Sequence, residues 1–360
     1  MTQTDIPFWF MRGGTSRGPY FKRSDLPDDL ETLARVLVAT IGSGHPLNID
    51  GIGGGNAVTT KVAMLSRSED SNADVDYFFA QVGVEDGQVD FKPTCGNILS
   101  GVGPAAIEMG LVEPTGETTA IRIRAVNTGA QVEAKVQTPD GGVRYDGTTK
   151  IDGVPGNAAP VGLQFMGTVG GATGAFLPTG NRIDIFDSVE ATCMDVAMPM
   201  VIARAEDIGV TGYETVSELN ENKALFSRME AVRRLAGRAM GMGDVSRSVT
   251  PKFGLLARPR AGGTIATRYF MPWAAHPTMA VTGAQCLASC VLTPGTVAEG
   301  LCTAPSESPA PIVLEHPSGS IDVVVDFERN GGDITIRSAG LVRTARLLAR
   351  GDVMIPPGVI

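Results

Sequence analysis

A cysteine and a lysine frame the chemistry open to this chain. Cys95 follows a Pro93-Thr94 break and precedes Gly96-Asn97, after which residues 98–108 run through Ser, Gly and Ala with a few aliphatic side chains. Small residues over two turns predict a thin, buried helix that other backbone approaches closely. Cys95 then stands near a helix N-terminus, where unpaired N–H groups and the dipole favour a thiolate or a bound carboxylate. A buried structural cysteine is the other reading, and the residues by themselves leave both open. Lys61 opens a strand-like run, 61–66, in which Val62 and Met64 alternate with Ala63 and Leu65. A lysine partly desolvated in such a place can act as a base, whereas one at a strand end more commonly keeps its head in water. Near the start, Gly13-Gly14-Thr15-Ser16 offers backbone N–H groups and two hydroxyls, the inventory for holding a carboxylate, or else a plain hairpin turn.

Several other chemistries are disfavoured. The glycines of 51–55 do not make a phosphate loop, because Thr60 precedes Lys61 and Val62 follows it, and the dinucleotide spacing G-x-G-x-x-G after a strand is missing. Five cysteines (Cys95, Cys193, Cys286, Cys290, Cys302) include no C-x-x-C pair, so neither a disulfide framework nor a zinc site is expected. The three histidines (His45, His276, His316) have no second good ligand nearby in sequence, so no metal is expected. A net charge of −9 with no dense basic block argues against a nucleic-acid partner. The absence of a long apolar run or a signal-like start makes a cytoplasmic protein with no membrane partner the expectation.

The elements that must position these residues follow from periodicity. Strands are expected at 6–10, 61–66, 75–84, 121–126 and 131–137, and a helix at 28–41 with Leu30, Leu33, Leu37 and Ile41 on one face. Residues 152–177 are rich in Gly, Ala and Pro without clear periodicity, which marks a domain junction. Beyond it, strands are expected at 183–186, 193–203, 251–257, 264–270, 321–327 and 334–336. The longest helical region is 217–241, with its charges on solvated faces. Residues 276–291 again read as a small-residue helix with a polar start, the same device as the Cys95 helix half a chain earlier, and Cys286 and Cys290 lie one turn apart within it as core packing. The pair suggests an internal pseudo-repeat. An α+β chain is expected, with an N-terminal domain over 1–180 to which a strand from 341–360 returns, and a C-terminal domain over 181–340.

These motifs together resemble the PrpF family of the diaminopimelate-epimerase-like fold, and within it the 4-oxalomesaconate tautomerases of gallate and protocatechuate breakdown. The matching stretches are Met11-Arg12-Gly13-Gly14-Thr15-Ser16, Gly53-Gly54 with Thr60-Lys61-Val62-Ala63, Asp74-Val75-Asp76-Tyr77, Cys95 to Pro104, Asn127-Thr128-Gly129, Asp152 to Gly156, Pro251-Lys252 and the His276 segment. The resemblance implies two pseudo-symmetric domains, each wrapping mostly antiparallel strands around a central helix. It also implies a cofactor-independent isomerase that moves a proton between carbons of a di- or tricarboxylate, with a homodimer allowed for. It places the acid/base pair on Lys61 and Cys95. Substrate binding would fall to Thr15, Ser16, Gly54, Gly55, Gly96, Asn97, Asn127, Lys252, Arg268, His276 and Thr278. Arg17 stands where relatives commonly carry Lys, and Asn56-Ala57-Val58 differs from the usual filler, so substrate identity is less firmly implied than reaction class. An aconitate or methylaconitate cis-trans isomerase is the rival on the same fold, and a non-catalytic carboxylate-binding protein the rival of another class. A two-cysteine epimerase is disfavoured because no cysteine stands at the start of the second small-residue helix.

Overall fold

The computed structural model describes residues 2–271 and 273–359, and the chain divides into two compact units, residues 1–164 with 342–360 and residues 165–341. The first unit contains β1 (Thr4–Gly13), β2 (Ser16–Lys22), α1 (Leu30–Ile41), β3 (Lys61–Arg67), β4 (Val75–Val82), the short β5 (Val89–Asp90), α2 (Gly96–Leu99), α3 (Val102–Glu108), β6 (Thr118–Ala125), β7 (Ala130–Gln137) and most of β8 (Pro160–Met166). The second holds β9 (Asp184–Phe186), β10 (Val189–Asp195), β11 (Pro199–Arg204), α4 (Ala205–Ile208), α5 (Val216–Glu221), α6 (Lys223–Ala239), β12 (Lys252–Ala257), β13 (Ile265–Phe270), α7 (Val281–Leu292), β14 (Ala310–His316) and β15 (Gly319–Asn330). A single long strand, β16 (Asp333–Ile355), gives its first part to the second unit and its remainder to the first.

In the first unit the order runs β1-β2-β3-β4-β6-β7-β8-β16, and β16 pairs back onto β1 with Thr4 opposite Ile355 and Gly13 opposite Ala345. The sheet therefore closes on itself, which leaves few unpaired edges. Most pairings are antiparallel, while β2/β3 and β4/β6 are parallel and each needs a crossover. The first crossover is α1, capped by the Asp29 carboxylate on the Thr32 N–H at 2.8 Å and ended by Gly42 in the left-handed region. Its Leu33, Val36, Leu37 and Ile41 pack on Val62, Met64, Ala80 and Val82, one face of β3 and β4, while Leu30 is 54% exposed. The second crossover is α2 with α3, which packs on the opposite face against β1, β2, β3 and β7.

The second unit repeats the device. Parallel pairs β11/β12 and β13/β14 are bridged respectively by α4–α6 and by α7. Val201, Ala203, Phe253 and Leu255 turn towards α6, whereas Met200, Ile202 and Leu256 turn towards α7, so each sheet face has its own core.

Local chemistry explains where the elements differ from the periodicity. The Cys95 helix is two pieces, because Pro104 can give no N–H to the carbonyl of Ser100 and crowds it, and the break falls one turn earlier at Ser100-Gly101. Gly101 also lies where a Cβ would come within 2.4 Å of the Tyr20 hydroxyl, so only the bare backbone fits. The region 193–203 is a hairpin, β10 and β11, whose turn includes Ala197 at φ 61°. The region 217–241 is α5 and α6, parted at Asn222, whose side chain accepts from the Leu225 N–H. Its charges are not all solvated: Arg233 is 1% exposed, paired with Glu230 and donating to the carbonyls of Val245, Ser248 and Thr250. Residues 160–166, expected to be irregular, form β8, with Val161 and Leu163 alternating into the core.

Candidate active site

In the first unit, the β1–β2 hairpin and the start of α2 meet. Gly13 pairs with Ser16 across the turn, and Gly14 has φ 50°, with any Cβ there falling 2.2 Å from the Asn97 side-chain oxygen. That close approach lets the Asn97 amide donate to the Thr15 hydroxyl at 3.0 Å and accept from the Thr15 N–H at 3.4 Å. Thr15, Ser16, Cys95, Gly96 and Asn97 are thus gathered in one place. The Ser16 hydroxyl is buried and, among the described residues, has no hydrogen-bond partner.

Cys95 is the N-cap of α2, half-buried and free of any disulfide. Its carbonyl accepts from the Leu99 N–H at 2.8 Å and from the Tyr77 hydroxyl at 3.4 Å. The Tyr20 hydroxyl donates to the Ile98 carbonyl at 2.6 Å. Both phenols are held protonated, first by complete burial and then by the proximity of Cys95. The four-residue α2 carries a smaller dipole than the continuous helix the sequence suggested, so the two buried phenols do more to define the thiol's surroundings.

Lys61 begins β3, and its ammonium donates to the Gln81 side-chain oxygen at 2.7 Å and stands 5.5 Å from the Phe79 ring centre. The cross-strand register explains this: Lys61 lies opposite Gln81, Ala63 opposite Phe79 and Leu65 opposite Tyr77. Directly opposed residues share a face. Lys61, Phe79 and Tyr77 therefore line the face away from α1, and Tyr77 reaches Cys95, so the lysine and the cysteine belong to one side of one sheet. The Gln81 amide is itself fixed by donating to the Thr60 hydroxyl at 3.1 Å, the Val82 carbonyl at 3.1 Å and the Ala57 carbonyl at 3.2 Å. Sequence reasoning passed over Gln81, Tyr77 and Tyr20. The signal available was the pairing of the 61–66 and 75–84 strands, which once registered sets Gln81 across from Lys61.

Other residues expected at the substrate are occupied otherwise. Asn127 gives both amide hydrogens to the Phe79 and Phe91 carbonyls and accepts from the Phe79 N–H, which makes it a brace for β4. The Gly55 N–H is committed to the Asn48 side chain at 2.8 Å, and Gly54 lies against Thr59 and the Arg17 guanidinium.

In the second unit, Lys252 opens β12 half-buried, and burial, then the nearby Arg233, pulls its ammonium below the usual lysine range. Arg268, in β13, is 7% exposed and donates to the carbonyls of Glu214 and Thr267, so its guanidinium holds backbone. His276 and Thr278 precede α7, which starts only at Val281. The reason is local: the His276 Nδ1 accepts from the Thr278 N–H at 3.0 Å, closing a turn before the helix begins. Burial lowers the His276 pKa. Cys286 and Cys290 lie fully buried inside α7, where burial raises both thiols, Cys290 to about 12. Among the described residues, no three His, Cys, Asp or Glu side chains are grouped to hold a metal ion, and no helix is long and apolar enough to cross a membrane.

A primary amine and a thiol on one sheet face, with hydroxyl and amide donors beside the thiol, can remove a proton from one carbon and return it to another. Comparison with known proteins agrees with that chemistry. The family model described as PrpF protein matches residues 3–356. The sequence is 47% identical to 4-oxalomesaconate tautomerase of Pseudomonas putida over 99% of this chain and 97% of that one. It is 43% identical to (4E)-oxalomesaconate Delta-isomerase of Novosphingobium sp. (strain KA1), over 97% of each. Among solved structures, methylitaconate-delta-isomerase superposes with a TM-score of 0.89 at 33% identity, covering 100% of this chain and 97% of that one. With a family match and relatives that run its full length, this α+β chain of the diaminopimelate-epimerase-like fold is a member of the PrpF family and an isomerase.

Proposed function

We propose that the chain is a cofactor-independent tautomerase or allylic isomerase of an unsaturated keto tricarboxylate, 4-oxalomesaconate, serving the breakdown of gallate and protocatechuate. The observation that carries this reading is the placement of Lys61 and Cys95 towards one face of the first unit's sheet, linked through Gln81, Phe79 and Tyr77. Full-length similarity to the Pseudomonas putida tautomerase supports 4-oxalomesaconate as the substrate. Deprotonating a carbon flanked by carbonyl and carboxylate groups places negative charge on oxygen, and fixed donors must hold that dienolate while the proton is returned elsewhere. Lys61 abstracts the proton and the Cys95 thiol delivers one at the far end of the allylic system, or the two act with roles exchanged. The Thr15–Asn97 pair and the buried Ser16 hydroxyl supply donors beside the thiol.

The test is proton NMR of 4-oxalomesaconate in deuterium oxide with no added metal or nucleotide. Deuterium entering one carbon during conversion is the expected result, and its position identifies the proton that is handled. Lys61→Ala and Cys95→Ala should each lower kcat by roughly 10²–10⁴-fold, the usual worth of one acid/base group. Near-normal turnover by Cys95→Ala refutes both assignments. Similarity to 2-methyl-aconitate isomerase of Shewanella oneidensis, at 32% identity over 98% of each chain, keeps a second reading, an aconitate or methylaconitate isomerase, which turnover of those acids but not of 4-oxalomesaconate would select.

A further inference from the structure

Three arginines stand in register across three neighbouring strands of the first unit. Arg12 of β1 lies opposite Arg17 of β2 and also opposite Arg346 of β16. Opposed residues share a face, and like charges set directly across from one another destabilise a sheet. The strain is visible at the central member: burial and then Arg346 lower the pKa of Arg12 from its ordinary value. Among the described residues, none of the three is ion-paired with a carboxylate. The chain as a whole carries 39 acidic against 30 basic residues, so a row of three unpaired cations is not a by-product of composition.

The row opens on a cavity of about 460 Å³ that Tyr145, Asp146 and Thr344 also line, and whose lining includes neither Lys61 nor Cys95. That volume suits a small ligand. Asp146 brings one negative charge against three positive ones and lies 3.8 Å from Arg144. Two members are anchored: Arg12 donates to the carbonyls of Gly14 and Thr344 at 2.9 Å each, and Arg17 stands 5.6 Å from the Phe10 ring centre.

We propose that this arginine row is an anion site, separate in its lining from Lys61 and Cys95, that takes a compact oligocarboxylate. Neighbouring strands lie about 4.8 Å apart, so the outer two arginines start from backbones roughly 10 Å apart. Guanidinium forks grip carboxylates in a planar, two-bond fashion. A ligand with carboxylates on adjacent carbons engages two forks or three, whereas acetate engages one and inorganic phosphate presents a single centre. Because Arg12 also holds the Gly14 carbonyl, such a ligand would steady the hairpin tip that carries Thr15 and Ser16. The inference stands independently of which acid is turned over.

The experiment is isothermal titration of the full-length protein with citrate, acetate and inorganic phosphate, at low and at near-physiological ionic strength. Saturable citrate binding is expected, stronger than that of acetate or phosphate and weakened by salt. It should persist in Lys61→Ala and weaken by at least about tenfold in Arg17→Gln/Arg346→Gln, the worth of one charge-assisted pair. Arg350→Gln, exposed on the same strand and outside the cavity, should leave it unchanged. If the double variant does not fold, Arg346→Gln alone, at an exposed side chain, carries the same direction of change. Unaltered citrate affinity in the arginine variants, an equal loss in Arg350→Gln, or a loss confined to Lys61→Ala each overturns the proposal. Citrate titration involves no turnover, so failure to convert 4-oxalomesaconate would refute the proposed reaction and leave this site standing.

Discussion

Gln81→Leu isolates the contact that positions Lys61. Leucine keeps most of the glutamine volume and removes both the oxygen that accepts from the ammonium at 2.7 Å and the amide hydrogens that fix that oxygen. A hydrogen bond to a charged group contributes about 1.5–3 kcal/mol. The site is half-buried, so water replaces part of this, but the freed lysine regains rotamer entropy of up to about 2 kcal/mol that must be lost again at each turnover. Taking about 1.5–2.5 kcal/mol as the net positioning cost, kcat falls roughly 10- to 70-fold at 1.36 kcal/mol per decade. The partner hydroxyl of Thr60 still donates to the Val82 carbonyl at 2.7 Å, so little stability should be lost. The assay is a KM-against-kcat split on 4-oxalomesaconate, with a thermal melt alongside. A merely structural role for Gln81 would lower the melting temperature and spare kcat, and a kcat within twofold of the parent refutes the positioning argument. Gln81→Glu, which keeps an acceptor, should recover part of the loss.

Gly101→Ala forces a methyl group to within 2.4 Å of the buried Tyr20 hydroxyl and displaces its bond to Ile98. At about 2–4 kcal/mol for overpacking plus a lost buried hydrogen bond, the melting temperature of the first unit should fall by about 4–15 °C, and an unchanged melt would refute the close packing. Asn127→Ala removes three hydrogen bonds to the backbone of Phe79 and Phe91, so it should cost about 2–3 kcal/mol in denaturant titrations and leave KM alone. A KM that rises without loss of stability would return Asn127 to the substrate. His276 has a folded-state pKa below its ordinary 6.5 because burial disfavours the imidazolium. The unfolded chain then binds the proton more readily, so stability is full above pH 6.5 and declines as pH falls through that value towards the lowered one. His276→Gln should flatten this part of the pH–stability curve, and an unaltered curve would show that the ring is not desolvated.

Alternation and spacing made much of the fold legible. The helix over 28–41 and the strands β6 and β7 carry one apolar face each, while β3 and β4 read as short apolar runs buried on both faces. What was not legible depended on contacts far along the chain. Pro104 sits among small residues that read as one helix, and only its missing N–H towards Ser100 divides it. The hairpin of β10 and β11 is apolar on both faces, so no alternation marks its turn. Arg233 reads as a surface charge, and its burial depends on carbonyls twelve and more residues away. The Lys61 and Cys95 neighbourhoods were visible as motifs, but Gln81, Tyr20 and Tyr77 enter the site through sheet register and helix packing, which no single segment encodes. Arg268 and Asn127 show the converse: polar residues at suggestive places whose capacity is already taken by backbone.

The long strand β16 has a consequence for how the protein is made. Residues 342–355 complete the first unit by pairing with β1, yet a ribosome delivers them after all of residues 165–341. At about 5–20 residues per second, β1 waits on the order of tens of seconds for its partner. During that time its outer edge is an unpaired template of backbone N–H and C=O groups. The second unit lacks any such debt to later sequence once Leu341 has emerged, so vectorial synthesis favours its consolidation first. A chain truncated after residue 341 and released from the ribosome should therefore show a protease-sensitive first unit and a protected second one.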